Sequence, residues 1–558
     1  LALASGRPDR FVGLHFFYHP AKNRLVEVIP GEDSSQDTIA RTVQYCRGLG
    51  KVVILCKDRP GFVVNRFFVP WLNEACLLLQ EGVASAAAID AVAMKAFRIG
   101  MGPFALMNLT GPPIALHSTD YLAEQLETPR YVGAENLREM VAAGEQWDIG
   151  EDTGCSEEAA EMIQTRLLGQ VFAVAGQIVD EEVCSLEDVD RGAKVGLRWA
   201  RGPFELANRL GIDSAKAMAE DYCELANFPV PEIWKREDKF SFSYVDLEIS
   251  DGIATVTINR PEAMNALNET VVTQLGEALD KANSEESVRT IVLDGAGKAF
   301  VAGADVKFFV DKIRADSFPD IYDFTANGHV VQDKLESSSK TTIALTTGLA
   351  LGGGLELALS CDYRIGTRKT QFRFPETSIG IFPGLGGTQR PARIAGLPAA
   401  RWAVLAGNFM DARTAADLGM VTNLVDVTKV DETISMLDAQ GKPAEKYPAK
   451  PMNSDSKIAK FAQAFYSDEN LSTILDGNCP EGFDPEDKLV SRQMKSLSRT
   501  APIALRMASD LINAAGESEL SEGLSQELGK LEAIFSTEDA LEGLSALIEG
   551  RKPTYQNS

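Results

Sequence analysis

GLALGGGLELALSCDYRIGTRKTQFRFPETSIGIFPGLGGTQR, residues 348–390, is the stretch on which the fold reading turns. An apolar strand predicted over 342–345 runs through a short turn into the glycine triplet 352–354, and then into a helix-like run, 355–360. Glycine permits close backbone approach, and the first N–H groups of a helix lack partners inside it, so the helix start offers an anion site. Glu356 lies two residues beyond the triplet. Glu376 comes twenty residues later, past a second predicted strand over 371–374 and Pro375. An anion pocket between two carboxylates suits a carbonyl that becomes an oxyanion while protons move beside it. A glycine triplet taken singly is more often just a tight turn; with the two carboxylates it points to an enolate-stabilising site.

Two upstream stretches stand in order with it, NRPEAMNALN at 259–268 and KAFVAGADVK at 298–307. Together the three resemble the signature of the enoyl-CoA hydratase (crotonase) superfamily, over roughly residues 241–558. The resemblance implies a spiral of ββα turns with C-terminal helices. It also implies an oxyanion hole made by the backbone N–H groups of Ala304 and Gly353, with Glu356 and Glu376 as acid and base. Lys298, Lys307 and Lys552 are the family-matched basic groups for CoA. The implied reaction is hydration of a trans-2-enoyl-CoA to a 3-hydroxyacyl-CoA. The superfamily also contains isomerases and thioester hydrolases, but isomerases typically keep one of the two glutamates and this chain has both. A reading from another class makes this part a non-catalytic scaffold that only assembles oligomers; failure to bind any acyl-CoA would mark it. A polar segment at about 442–487 has no place in the family's minimal pattern and reads as an insertion, either a disordered loop or an added helical layer.

At 558 residues the chain exceeds the length at which single cores stop growing, about 250 to 300, so several domains are expected. With 45% hydrophobic and 24% charged residues it has the composition of an ordinary soluble chain. A net charge of -25 argues against nucleic acid or an anionic membrane as main partner. No run reaches the ~20 apolar residues of a membrane span. Eight cysteines without a CxxC pair, and only four histidines, favour reduced thiols over a metal or disulfide framework; no metal is expected, and the expected compartment is cytoplasmic. Residue 1 is leucine, so a preceding segment is expected, and whether it carries a targeting signal is left open.

Toward the N-terminus, RFVGLHFFYHP (10–20) and LVEVIP (25–30) predict two buried strands. Next comes a helix capped by Ser34 or Ser35, with Ile39, Val43 and Cys46 at helical spacing, and then a strand over 52–56. This β, α, β rhythm reads as the closing part of a doubly wound domain, residues 1–57. Together with RPGFVVNRFFVPWLNEA at 59–75 it resembles the 3-hydroxyacyl-CoA dehydrogenase family. That resemblance implies His15 as base, Glu27 as its partner, Asn65 as a hydrogen-bonding group and NAD as cofactor. The residue types suit the chemistry: imidazole has the side-chain pKa nearest neutrality, and a carboxylate can orient it. No glycine-rich turn of the kind that seats a pyrophosphate precedes Asp58. The expectation is therefore a Rossmann-like remnant whose oxidation step is silent in these residues. A different dehydrogenase activity for this half stays open.

Shifting 65–108 by 100 positions lays it on 165–208 without a gap, pairing Arg66 with Arg166, Asp90 with Asp190 and Arg98 with Arg198. Gly102, Pro103 and Phe104 fall on Gly202, Pro203 and Phe204. A duplicated helical module, 58–160 and 161–228, is the simplest account. It is similar to the paired C-terminal modules of longer 3-hydroxyacyl-CoA dehydrogenases, with Thr165 where the first copy has Asn65. PVPEIWKRED, 229–238, predicts a linker over 229–240. The expected fold class is multidomain, α/β plus all-α: a Rossmann-like remnant, duplicated helical modules, then a crotonase spiral. The whole resembles dehydrogenase-hydratase fusions known mainly from archaea. Acyl-CoA substrates and a homo-oligomer, either a crotonase-type trimer or dimer of trimers or a dehydrogenase-type dimer, are the implied partners.

Overall fold

The computed structural model describes residues 1–558 except 152, 153, 237 and 449, so Glu237 of the expected linker and Ala449 of the expected insertion lie outside the described residues. The chain folds as two compact units, Leu1–Phe242 and Ser243–Ser558.

The first unit begins with a three-stranded sheet, β1 (Val12–Phe16), β2 (Leu25–Pro30) and β3 (Val52–Leu55), in that spatial order. β1 and β2 run antiparallel, and β2 and β3 run parallel, joined by the helix Gln36–Gly48. Of the two candidate caps, Ser35 takes the role, its hydroxyl accepting the Thr38 N–H. Central β2 is buried from Leu25 to Ile29, whereas Leu14, Phe16 and Leu55 on the flanking strands are exposed.

The rest of this unit is helical and folds twice over on one plan. Asp90 accepts the N–H groups of Phe104 and Ala105 at 2.8 and 3.0 Å, and Asp190 accepts those of Phe204 and Glu205 at 2.8 and 2.9 Å. Each carboxylate thus caps the helix that opens with a Gly-Pro-Phe, and glycine is required there: a Cβ on Gly102 or Gly202 would fall 2.3 or 2.2 Å from the aspartate side chain. Arg98 and Arg198 both take left-handed backbone, φ +52° and +60°, just before those caps. Asn108 exchanges two hydrogen bonds with the Trp147 backbone, as Asn208 does with Phe240. The copies also clasp reciprocally: Arg66 pairs with Glu181, and Arg166 pairs with Glu81.

The stretch expected to be a linker does not run free. Trp234 is fully buried and donates its indole N–H to the Phe172 carbonyl at 3.0 Å, and Phe240 stacks edge-on against Trp234 and Phe204. Two large aromatics in a short proline-flanked run had more apolar surface to bury than a solvated tether can leave in water.

The second unit is a spiral. Its six-stranded sheet has the order β13-β10-β8-β6-β5-β4, and its four-stranded sheet β12-β11-β9-β7. The strands are β4 (Val245–Ser250), β5 (Ile253–Ile258), β6 (Thr290–Gly295), β7 (Ala299–Ala302), β8 (Thr341–Thr346), β9 (Leu349–Leu351), β10 (Tyr363–Gly366), β11 (Gln371–Arg373), β12 (Met410–Asp411) and β13 (Asn423–Leu424). β6, β8 and β10 enter the large sheet and their immediate successors β7, β9 and β11 the small one, all parallel to their neighbours in the spiral. The strand expected over 342–345 is β8, the short turn expected after it contains a further strand, β9, and the helix begins earlier than expected, at Gly353. The glycines are part of its first turn because their missing side chains let it press on Val301, whose carbonyl lies 2.1 Å from a Gly354 Cβ position.

The segment expected as a loop or a helical layer forms two helices, Lys457–Phe465 and Asp468–Leu475. They bury Ala459, Ala462, Phe465, Leu471 and Ile474, and Arg401 on the helix Leu397–Val404 donates to the Tyr466 carbonyl at their junction. Among the described residues no helix is long and apolar enough to cross a membrane.

Removing one of the duplicated caps tests the repeat. Asp90→Ala leaves two helix-start N–H groups without acceptors, and a loss of about 1 to 2 kcal/mol in urea unfolding of the first unit is expected.

Candidate active site

Three neighbouring parallel strands of the small sheet build the site. β7 pairs with β9 so that Ala302 faces Leu351, and β9 pairs with β11 so that Leu351 faces Arg373. Their carboxyl ends therefore lie side by side, and the segments leaving them meet there: Gly303 and Ala304 after β7, Gly352 to Glu356 after β9, Pro375 and Glu376 after β11. The Gly352 N–H donates to the Arg373 carbonyl at 2.9 Å, which ties two of these ends together.

Gly353 opens the helix Gly353–Leu359, so its N–H has no partner within it. Ala304 sits in a parallel bridge with Leu267 whose hydrogen bonds run through its neighbours, from Leu267 N–H to the Gly303 carbonyl and from Asp305 N–H to the Leu267 carbonyl. The Ala304 N–H is turned away from that bridge, and it lies 3.9 Å from where a Gly353 Cβ would project. The two expected oxyanion donors are adjacent.

Glu356 stands one turn into that helix, 2% exposed, and its Oε1 accepts the N–H groups of Leu385 and Gly387 at 2.8 and 2.7 Å. Glu376 opens the short 3-10 helix Glu376–Ile379, is 7% exposed, and its Oε2 finds no hydrogen-bond partner. The carboxylates are held close by absent side chains. A Cβ on Gly352 would fall 2.1 Å from Glu376 Oε1, and one on Gly387 2.7 Å from Glu356 Oε1. Burial pushes the Glu376 carboxyl up to about 8. Burial, then the charges of Glu376 and Glu527, push Glu356 up as well, against the pull of its two N–H donors. Two such groups share fewer than two charges, and the donors on Glu356 Oε1 favour placing the charge there and the proton on Glu376.

Sequence reasoning missed a third carboxylate. Glu527, on the helix Leu520–Gly529, is fully buried and accepts the Gly386 and Thr388 N–H groups at 2.7 and 3.1 Å and the Thr388 hydroxyl. The signal was a glutamate on an apolar helical stripe with Leu520, Leu524 and Leu531. The glycine-dense 383–389 segment gives its N–H groups to Glu356 and Glu527.

Lys298, Lys307 and Lys552 are exposed and stand on three separate segments, ahead of β7, in the first turn of the helix Val306–Arg314, and after the helix Glu538–Glu549. The structure draws no two of them into one contact.

In the first unit, the β1–β2 register sets His15 opposite Glu27, and His15 Nδ1 lies 2.6 Å from Glu27 Oε2. Glu27 is fully buried, its other oxygen accepting the Val63 and Val64 N–H groups where the helix Val64–Gln80 begins. Asn65 is the next residue of that helix, half-buried. The second copy offers no such start, because Thr165 lies well inside the helix Glu157–Asp180. Phe17 and Phe62 flank the imidazole at 4.7 and 5.6 Å between ring centroids.

Both units have counterparts among known proteins. The enoyl-CoA hydratase/isomerase family matches residues 253–558, and on that match this chain belongs to it. Ahead of that part, the 3-hydroxyacyl-CoA dehydrogenase C-terminal domain matches 61–153 and 162–237, and the NAD binding domain of the same enzymes matches 1–59, so the two are fused in one polypeptide. A probable enoyl-CoA hydratase of Mycobacterium bovis is 30% identical over 315 residues, 56% of this chain and 98% of that protein. The short-chain-enoyl-CoA hydratase of Clostridium acetobutylicum is 30% identical over 55% of this chain and 95% of its own length. A solved enoyl-CoA hydratase from Rhodobacter sphaeroides shares 23% identity over 56% of this chain and 92% of its own, with a TM-score of 0.49.

The NAD implied by residues 1–59 meets no seat among the described residues there. The one strand-to-helix turn, 31–35, carries a single glycine and the acidic Glu32 and Asp33, which repel a pyrophosphate, so no step is derived through that cofactor. Among the described residues no group of His, Cys, Asp and Glu is arranged to hold a metal ion.

Gly352 carries the packing of the site. Its φ of +47° and the 2.1 Å approach of Glu376 leave no room for a methyl group, so Gly352→Ala should displace Glu376 and lower enoyl-CoA hydration by about 10² while the melting temperature moves little. Steady-state assay beside a thermal melt reads both.

Proposed function

We propose that the second unit hydrates a trans-2-enoyl-CoA to the 3-hydroxyacyl-CoA. Glu356 takes a proton from the attacking water, and Glu376 delivers one to the α-carbon. The thioester oxygen, negative as the enolate forms, receives the Ala304 and Gly353 N–H groups. The observation that supports this most directly is the meeting of two buried carboxylates with two adjacent backbone donors at the ends of β7, β9 and β11. An isomerase needs one proton shuttle; a water that loses one proton while the substrate gains another at carbon occupies two carboxyl groups, and both are here. The CoA phosphates are assigned to Lys298, Lys307 and Lys552, whose exposed heads carry the only kind of charge that suits them.

For the first unit we read a 3-hydroxyacyl-CoA dehydrogenase site in which His15 takes the hydroxyl proton, Glu27 fixes its Nδ1 and stabilises the imidazolium, and Asn65 bonds the substrate. The product of the hydratase is the substrate of this site. We take the protein to be a cytoplasmic homo-oligomer.

Replacing Glu356 or Glu376 with Gln keeps size and removes the proton function, so hydration of crotonyl-CoA should fall by about 10² to 10⁴ with substrate binding retained in calorimetry. A parental rate in Glu376→Gln would end the two-carboxylate mechanism. In the parent enzyme the raised pKa keeps the Glu376 proton in place at neutral pH, so the rate should fall as pH rises through about 8. Proline is tolerated at a first helical position, so Gly353→Pro removes one oxyanion donor with little damage to the helix. It should cost about 2.7 to 4 kcal/mol in kcat/KM.

A further inference from the structure

The loop Leu385–Thr388 offers four consecutive backbone N–H groups, and they alternate between two buried carboxylates. Leu385 and Gly387 donate to Glu356 Oε1, Gly386 and Thr388 to Glu527. Alternation of this kind requires the chain to turn at Gly386, whose φ is +89° and where a Cβ would fall 1.7 Å from Arg390 Nη1. The carbonyl side of the loop is fixed as well: Arg390 Nη1 and Gln332 Nε2 donate to the Leu385 carbonyl, each at 2.8 Å, and His329 Nε2 lies 2.7 Å from the Gly384 carbonyl. The helix bearing Glu527 is pressed onto this loop, since a Cβ on Gly523 would fall 1.9 Å from Gln389 Oε1.

We infer that Glu527 is a positioning residue for hydration: by holding the Gly386 and Thr388 N–H groups it aims those of Leu385 and Gly387 at Glu356 and so sets that carboxylate's place and charge. This rests on Glu356 being the group that activates water. The alternative acceptor for the loop is water, which would leave the N–H groups of Leu385 and Gly387 free to reorient. A carboxylate that accepts at two fixed oxygens does not permit that. Burial pushes Glu527 itself up to about 7, and where it is ionised its charge lies near Glu356 and resists the ionisation of Glu356. The groups facing Glu527 are the Thr388 hydroxyl, the two N–H groups, Arg390 and His329, whose Nε2 is 3.9 Å from Oε2. Burial pushes His329 down to about 4, so it is neutral at working pH.

The test compares the full chain with Glu527→Gln, Glu527→Asp and Glu356→Gln, measuring kcat, KM and the pH profile for crotonyl-CoA hydration. Glu527→Gln should lower kcat by about tenfold to a hundredfold with KM within about twofold. It should also move the acid limb of the kcat profile to lower pH, because Glu356 loses a like-charged neighbour. A role in folding alone would reduce the amount of active enzyme and leave that limb where it is. A folded Glu527→Gln with parental kcat and an unmoved limb overturns the inference. Should Glu527→Gln not fold, Glu527→Asp decides: it keeps the charge but is too short to grip both N–H groups, so kcat should fall with the limb unmoved, and parental kcat overturns the inference. Parental activity in Glu356→Gln would instead overturn the reading on which the inference rests.

Discussion

Burying carboxylates on backbone donors, with no direct Lys or Arg ion pair among the described residues, is the constraint around which the second unit is organised. Glu356, Glu376 and Glu527 are all nearly or fully excluded from water, and the donors to Glu356 and Glu527 are chiefly backbone N–H groups of one short loop. A buried carboxylate is costly unless it is paired, bonded or protonated. Here Glu356 and Glu527 are bonded by the loop, and Glu376, whose carboxyl burial pushes up, keeps an oxygen with no partner. Much else derives from meeting that cost: the glycines that let donors approach, the Arg390–Glu336 pair that anchors the loop's far side, and the helix that brings Glu527 in from the C-terminal end of the chain. On the mechanism proposed above, an oxygen without a partner suits a proton donor to carbon, because a competing hydrogen bond would have to break before transfer.

How much of this was legible in the sequence depended on distance along the chain. Glu356 and the helix start beside it stood out locally, because the glycine triplet marks the turn, whereas Ala304 and Gly353 as donors came only with the resemblance. His15 and Glu27 came with the second resemblance, and the structure adds the register that sets them opposite each other. Glu527 escaped because its partners are about 140 residues earlier, and a lone glutamate on an apolar helical stripe looks like any surface residue until the loop is seen against it. The stretch expected as a linker shows a related limit. Proline and charge marked 229–238 as a breaker, which it is, but a broken helix can still be a docked one, and Trp234 supplied the surface to dock. Basic residues were the least informative, since a lysine's role in binding depends on which segments converge, and nothing local records that.

The first unit meets the same constraint in another way. Its site uses one buried carboxylate twice, Glu27 meeting the imidazole with one oxygen and a helix start with the other. That helix start has no counterpart in the second copy, where Thr165 lies well inside a longer helix.

The clasp between the copies has a further consequence. Arg66 to Glu181 and Arg166 to Glu81 are the two halves of a self-complementary interface of the sort that two identical chains make when they dimerise. Because both halves lie on one polypeptide, each meets its partner at an effective concentration set by the connecting chain and not by how much protein is present. Dilution, which separates ordinary dimers, leaves this association untouched, and each copy is free to accumulate changes that the other need not mirror.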